Sequence, residues 1–241
     1  MTAAPPLRRT VGAATSRGPK RPRNADAHAV HVHHGVLAAA VVDGTGSEPE
    51  VVEFAAVAAG TAARVAARRT PVLGVVAAAE AWSDPDTDLV DPTGAIVVAS
   101  VRPGGCWRIA WSGDSSAYGL KDDGSVRRFT APHTLGEEMR RAGAPEAEAA
   151  AHDHQLRRSL ARVPVDGVEG LQAIARVLVL ASDGLKLPHD DLAALLAEHA
   201  HDPRSCAELL VGAARERGSR DDVTALVLPY PEADFEPEER R

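Results

Sequence analysis

The chain has 241 residues, 44% of them apolar, and a formal net charge of -7. Length and apolar content supply one substantial core rather than two, and acids and bases interspersed along the chain exclude the basic face that nucleic acid requires. Cys106 and Cys206 lack the spacing of a disulfide framework or a thiolate metal site, no apolar run approaches the roughly 20 residues that span a bilayer, and no apolar signal core opens the chain, so a cytoplasmic protein with no membrane partner is expected.

Residues 1–17, rich in Ala, Pro, Arg and Thr without periodicity, read as a flexible tail, and residues 231–241, mostly acidic or Pro, as an acidic one. The folded domain is expected over residues 18–230. Ala27 to Val42 is rich in Val, Ala and His, which predicts two strands with Gly35 in the turn. Ser47 and Glu50 have the spacing of a capping box, and Val51, Phe54, Ala55 and Ala58 recur at helical intervals, so a helix is expected from about Glu48 to Arg69. A second covers Val72 to Trp82, ahead of a Pro- and Asp-rich loop from Asp84 to Asp91. Gly94 to Val101, Trp107 to Ser112, Ser116 to Lys121 and Ser125 to Thr130 are short β-rich runs parted by Gly or Asp, the pattern of an antiparallel meander. Ala131 to Arg162 is polar, with one helix near Leu135 to Ala142 and an irregular remainder. An apolar strand at Arg176 to Ala181, helices at Asp190 to His199 and Arg204 to Arg217, and a strand at Val223 to Leu228 complete the domain. Strands in runs and helices in pairs give an α+β layered fold.

Five short aspartate motifs follow one another along this chain. They are Arg-Pro-Arg-Asn-Ala-Asp-Ala ending at Ala27, Val-Val-Asp-Gly-Thr-Gly ending at Gly46, Trp-Ser-Gly-Asp-Ser-Ser ending at Ser116, Leu-Ala-Ser-Asp-Gly-Leu ending at Leu185, and Gly-Ser-Arg-Asp-Asp-Val-Thr ending at Thr224. Taken alone, Asp43-Gly44 and Asp183-Gly184 are turn dipeptides, Asp114 a hairpin residue, and Asp26, Asp221 and Asp222 solvated acids. Context raises them, because Asp43 and Asp183 each end a buried-type strand and precede a helix-start signal. A fold that gathers strand ends gathers these carboxylates, and clustered hard oxygens suit Mg²⁺ or Mn²⁺.

In these residues the chain resembles the metal-dependent protein phosphatase (PPM) family, the type 2C serine/threonine phosphatases, in its bacterial form. The first motif of that family appears as Gly18, Arg21, Asn24, Asp26 and Ala27, and its Asp-Gly-x-Gly as Asp43, Gly44 and Gly46. Gly113-Asp114-Ser115, Ser182 to Leu185, and Arg220, Asp221, Asp222 and Thr224 match the other three. Thr93-Gly94-Ala95 and His154-Gln155-Leu156 are weaker echoes, and the resemblance runs from about Gly18 to Leu228.

The resemblance implies a central β-sandwich of two antiparallel sheets flanked by pairs of helices, with a centre of two Mn²⁺ or Mg²⁺ ions at one end. Asp43 would bridge both ions, the Gly44 carbonyl would complete one, and Asp183 with Asp221 would hold the other; Asp26 would act through water and Asp114 would bind a third, looser ion. Arg21 would grip the substrate phosphate with its planar fork. Two such cations activate a water for attack on phosphorus, so no protein nucleophile is needed. The activity implied is hydrolysis of phosphoserine and phosphothreonine on protein targets of a serine/threonine kinase, by a monomer.

Several positions depart from the family pattern. Ala25 stands where a carboxylate or amide commonly reaches the second metal through water, Thr45 where some members carry a histidine, Ser47 where glycine is frequent and Ser116 where arginine is common. Asp222 replaces Asn and adds a negative charge beside the metals. Ala25 and Asp222 support an alternative class, a pseudophosphatase serving as a phosphoprotein-binding module; a hydrolase of small phosphate esters is a third. His31 and His33 share one face of an alternating strand and His28 and His34 the other, so the four read as a solvated surface. His133, His152 and His154 read as surface histidines of a segment that forms a mobile flap in the family, and Glu137 and Glu138 as an exposed helix face.

Overall fold

Both faces of the strand that carries Asp43 are covered. In β3 (Val36–Gly44), Leu37, Ala39 and Val41 point to one side and Ala38, Ala40 and Val42 to the other, and all six are buried. A strand of this kind lies in a sheet with layers on both faces. A computed structural model, which describes residues 11–82 and 92–231, has four such layers. One antiparallel sheet places β2 (Asp26–His33), β3, β4 (Gly94–Val101), β5 (Trp107–Ser112) and β8 (Glu169–Ala173) side by side in that order. The other has the order β1 (Gly12–Ser16), β10 (Val223–Pro229), β9 (Val177–Ala181), β6 (Ser116–Leu120), β7 (Val126–Arg128), also antiparallel throughout. The helix pair α1 (Pro49–Arg68) and α2 (Pro71–Glu80) covers the first sheet, and α6 (His189–His199) with α7 (Pro203–Glu216) covers the second. Between the sheets lie Trp107, Ile109, Trp111, Leu178, Leu180, Leu226 and Leu228.

The helices sit close to their sheets because the residues between are small. Ala55, Ala58, Ala59, Ala62, Ala63 and Ala66 line the buried face of α1. Leu192 and Leu196 of α6 and Leu210 of α7 do the same work on the other side with larger side chains.

The expected elements among the described residues are present with shifted ends, and there are five differences. Gly12–Ser16, read as part of the flexible tail, is strand β1, pairing with β10 through Thr15↔Thr224; five small residues carry no periodic signature. The capping box at Ser47 is not made: Pro49 opens α1, Glu48 takes the cap position, and its Oε2 accepts from Ser47 N at 2.8 Å. The expected meander is divided, since β4–β5 belong to one sheet and β6–β7 to the other, the chain crossing at Gly113, whose φ of +105° is one that L side chains rarely adopt. The region after Ala142 holds a short α4 (Glu146–Ala150) beyond the predicted α3 (Leu135–Arg141). Residues Glu169–Ala173, which carry only weak alternation, form the edge strand β8 after α5 (Val163–Asp166). The loop expected at Asp84 to Asp91 and the acidic segment after Pro231 lie outside the described residues.

Candidate active site

Antiparallel pairing brings the five motifs to one end of the sandwich. Asp26 opens β2 and Asp43 is the penultimate residue of β3, and the register pairs them directly. Asp183 follows β9 and Asp221 and Asp222 precede β10, whose register sets Ala181 opposite Ala225. Asp114 sits in the crossover between the sheets. Close backbone approach at these ends requires glycine: a Cβ on Gly94 would lie 2.2 Å from the Asp43 carbonyl oxygen, and one on Gly184 1.9 Å from that of Asp222.

The carboxylates are close enough to raise one another's energy. The Asp183 amide points at Asp43 Oδ2 at 3.4 Å. Burial holds the Asp43 carboxyl well above its usual range, reinforced by Asp26, Asp183, Asp114 and Asp221 in turn. Burial likewise pushes Asp26 to about 7, against the opposing pull of hydroxyl hydrogen bonds from Ser182 and Thr224. Asp114 is pushed to about 7 by burial and then by Asp183. Ser182 Oγ donates to Asp26 Oδ2 at 2.7 Å and accepts from Thr224 N at 2.9 Å, yet Asp26 Oδ1 is buried with no hydrogen-bond partner. Half-buried, acceptor-rich and short of positive charge, the cluster fits a hard cation by the chemistry of its donors.

Two basic groups already reach it. Arg21 donates to Asp221 Oδ1 at 2.5 Å and to the Gly46 carbonyl at 2.9 Å, and Lys186 lies 3.4 Å from Asp183. Among the described residues no group of three or more Asp, Glu, His or Cys side chains is already arranged around a metal position, so the carboxylates are gathered at one end without yet enclosing an ion. Arg21, which the resemblance assigns to phosphate, is here the partner of Asp221.

Asp222 does not face the cluster with a free charge. Its Oδ1 accepts from Gly18 N at 2.7 Å and its Oδ2 from Ala25 N at 2.8 Å, so it ties down both ends of the loop that carries Arg21 and Asn24. Ala25 is buried, and its carbonyl accepts from Gly44 N. The loop is further held by Asn24 Nδ2 to Thr15 Oγ1 at 2.8 Å, which is how a strand taken for a tail comes to support the site.

Three residues that sequence reasoning did not assign to the site complete the surroundings. Arg128 on β7 donates to Ser116 Oγ at 2.7 Å, so a guanidinium reaches the position after Gly-Asp-Ser from the neighbouring strand. Arg215, in the last turn of α7, donates to the Ser16 and Asp221 carbonyls, both at 2.6 Å. His133, expected at the surface, is buried; it stacks on Trp111, and its Nδ1 accepts from Gly113 N at 3.1 Å beside Asp114. No sequence signal marks Arg215 or His133, since both act across the fold. A cleft of about 440 Å³ opens next to Asp114 and Asp183, walled by Arg128, Arg140, Lys186 and His154.

No family model matches the chain. It is 32% identical over 96 residues to "Probable protein phosphatase 2C 41" of Oryza sativa subsp. japonica, a stretch that makes up 39% of this chain and 34% of the rice protein. Among solved structures, a Streptococcus agalactiae serine/threonine phosphatase superimposes with a TM-score of 0.76 over 91% of this chain and 99% of its own, at 21% identity. A PPM Ser-Thr phosphatase from Mycobacterium smegmatis does so with 0.70 over 92% and 98%, at 23% identity. The two five-stranded antiparallel sheets and their flanking helix pairs are therefore the fold of the PPM serine/threonine phosphatases.

Proposed function

We propose that this protein is a metal-dependent serine/threonine protein phosphatase that hydrolyses phosphoserine and phosphothreonine. The observation that carries this reading is the convergence of Asp26, Asp43, Asp114, Asp183 and Asp221 at the end of a phosphatase-type sandwich, with one buried carboxylate oxygen left without a donor. Asp43, the Gly44 carbonyl, Asp183 and Asp221 would hold two Mn²⁺ or Mg²⁺ ions, Asp26 would accept from their waters, and Asp114 would serve a weaker third ion. Such ions, when bound, supply a water activated for attack on phosphorus. The remaining work belongs to the chain. Arg21, anchored on the Gly46 carbonyl and beside Asp221, holds the guanidinium that would receive a phosphate dianion. Arg128 and Lys186 line the adjoining cleft, where they offset the charge of the arriving phosphoprotein. Its partners would be the targets of a serine/threonine kinase, met in the cytoplasm by a monomer.

A second reading, a phosphoprotein-binding module with little turnover, is favoured by the Arg21–Asp221 pair, which competes with the metal for a ligand. One assay decides between them: hydrolysis of an aryl phosphate and of a phosphothreonine peptide, with and without Mn²⁺. Turnover that needs Mn²⁺, stops in EDTA and drops by orders of magnitude in Asp43→Asn supports the enzyme. Absence of turnover at millimolar Mn²⁺, with phosphopeptide still bound, supports the module.

A further inference from the structure

The end of the sandwich remote from the aspartates carries a second concentration of charge, of the opposite sign. β4 starts beside Asp43 and runs eight residues to Val101, which at ~3.3 Å per residue places its far end about 23 Å from the carboxylates. There a cleft of about 640 Å³ lies between the β2–β3 turn, the C-terminus of α1 and the β4–β5 turn. Arg68, Arg69, Arg102 and Arg108 line it together with His33 and His34, and among its described lining residues none is acidic. All four arginines are exposed, and among the described residues none has an ion-pair partner. Other arginines of the chain are paired: Arg140 with Glu146 and Asp153, Arg162 with Asp166, Arg217 with Asp191.

A helix C-terminus accounts for Arg68 and Arg69, since cations are favoured there. It does not account for Arg102, on a turn, or Arg108, on a strand, in the same cleft. Nor does overall composition, for the chain is acidic. The mutual repulsion is felt locally: His33 is held below its ordinary pKa, by desolvation first and then by Arg68, His34 and His31.

We propose that this arginine cleft binds a phosphate-bearing polyanion of nucleotide size or smaller. The volume falls within the roughly 300–1,000 Å³ of small-ligand sites. Guanidinium forks match phosphate oxygens in pairs, and several such forks around one cleft call for an anion of high charge density, which a single carboxylate lacks. The distance from the aspartates makes the cleft a separate site rather than part of the proposed hydrolytic one. Its phosphates could belong to a free small molecule or to phosphorylated side chains of a protein.

The test uses the full chain in low-salt buffer with EDTA, which keeps cations from the aspartate end, where bare carboxylates repel phosphate. Inorganic tripolyphosphate is titrated by calorimetry, and a doubly phosphorylated serine peptide in a parallel arm. Saturable binding of either is expected, weakened at least ~10-fold by Arg102→Glu and by Arg108→Glu, because each change removes a paired hydrogen bond to the anion. Arg64→Glu, the same charge change at an exposed position of α1 outside the cleft, should weaken it by less than about 3-fold. Preference for tripolyphosphate names the free anion as the source, and preference for the peptide names protein side chains. Failure of both probes to bind, or equal weakening by Arg64→Glu, overturns the proposal. The phosphatase reading stands or falls separately, on Mn²⁺-dependent turnover.

Discussion

Asp222→Asn is the change that most directly tests the role of the departing residue in the last motif. Both Asp222 oxygens accept buried backbone N–H groups, from Gly18 at 2.7 Å and Ala25 at 2.8 Å. An asparagine has one acceptor oxygen, and its amide nitrogen would set a donor against the second N–H. The loss is one charge-assisted bond, worth about 1.5–3 kcal/mol, together with the cost of an unpaired buried donor, so a net destabilisation of ~2–4 kcal/mol is expected. The opposing gain is relief of repulsion toward Asp26, for which Asp222 is a minor cause behind burial. The bonds should therefore win, lowering the melting temperature of the metal-free protein by about 5–15 °C for a domain of this size. Differential scanning calorimetry in EDTA measures this without interference from metal binding. An Asn variant that melts at or above the parent temperature would refute the reasoning and restore the view of Asp222 as a surplus charge at the site.

The other expectations can be checked with similar means. Asp114 has a folded-state pKa of about 7 against an ordinary 3.8, so its contribution to stability is full below pH 4, declines as pH rises and is gone above 7; three units correspond to about 4 kcal/mol as an upper bound. Urea denaturation in EDTA should accordingly show Asp114→Asn raising stability more at pH 8 than at pH 5, and an equal effect at both would contradict the assignment. His133→Phe keeps the stack on Trp111 but leaves the buried Gly113 N–H without its acceptor, which should cost about 1–3 kcal/mol in the same denaturation measurement. Arg128→Ala should raise KM for a phosphothreonine peptide several-fold while Mn²⁺ affinity stays unchanged; an unaltered KM would remove Arg128 from the substrate cleft.

What the sequence made legible was whatever has a local period or a fixed chemical spacing. The continuous apolar run of Leu37 to Val42, the alanine stripe of α1 and the apolar run of β9 each announce their element. The aspartate motifs are legible because the close backbone approach at these strand ends requires glycine, so acid and glycine recur together. The strand at Gly12–Ser16 was hidden because five small residues can be tail or strand, and only the open edge of β10 decides. The partition of β4–β7 between two sheets was hidden because one positive φ at Gly113, not a composition, sends the chain across. The structural role of Asp222 was hidden for a related reason: its partners, Gly18 and Ala25, are some 200 residues away and offer backbone rather than side chains.

The aspartates come from both sheets, Asp26 and Asp43 from strands of one and Asp183 and Asp221 from the loops flanking strands of the other, so their separation is set by how far apart the two sheets sit. That spacing is fixed by Trp111, Leu180, Leu226 and their neighbours, which pack between the sheets. The interior thus acts as a ruler for the site. Trimming Leu226 or Leu180 would let the sheets approach or slide by fractions of an ångström, and close-packed interiors transmit such strain rather than absorb it. The separation of the aspartates should therefore be tunable from side chains remote from them, with Val97 and Ala99 on the facing strand as the matching half of the gauge.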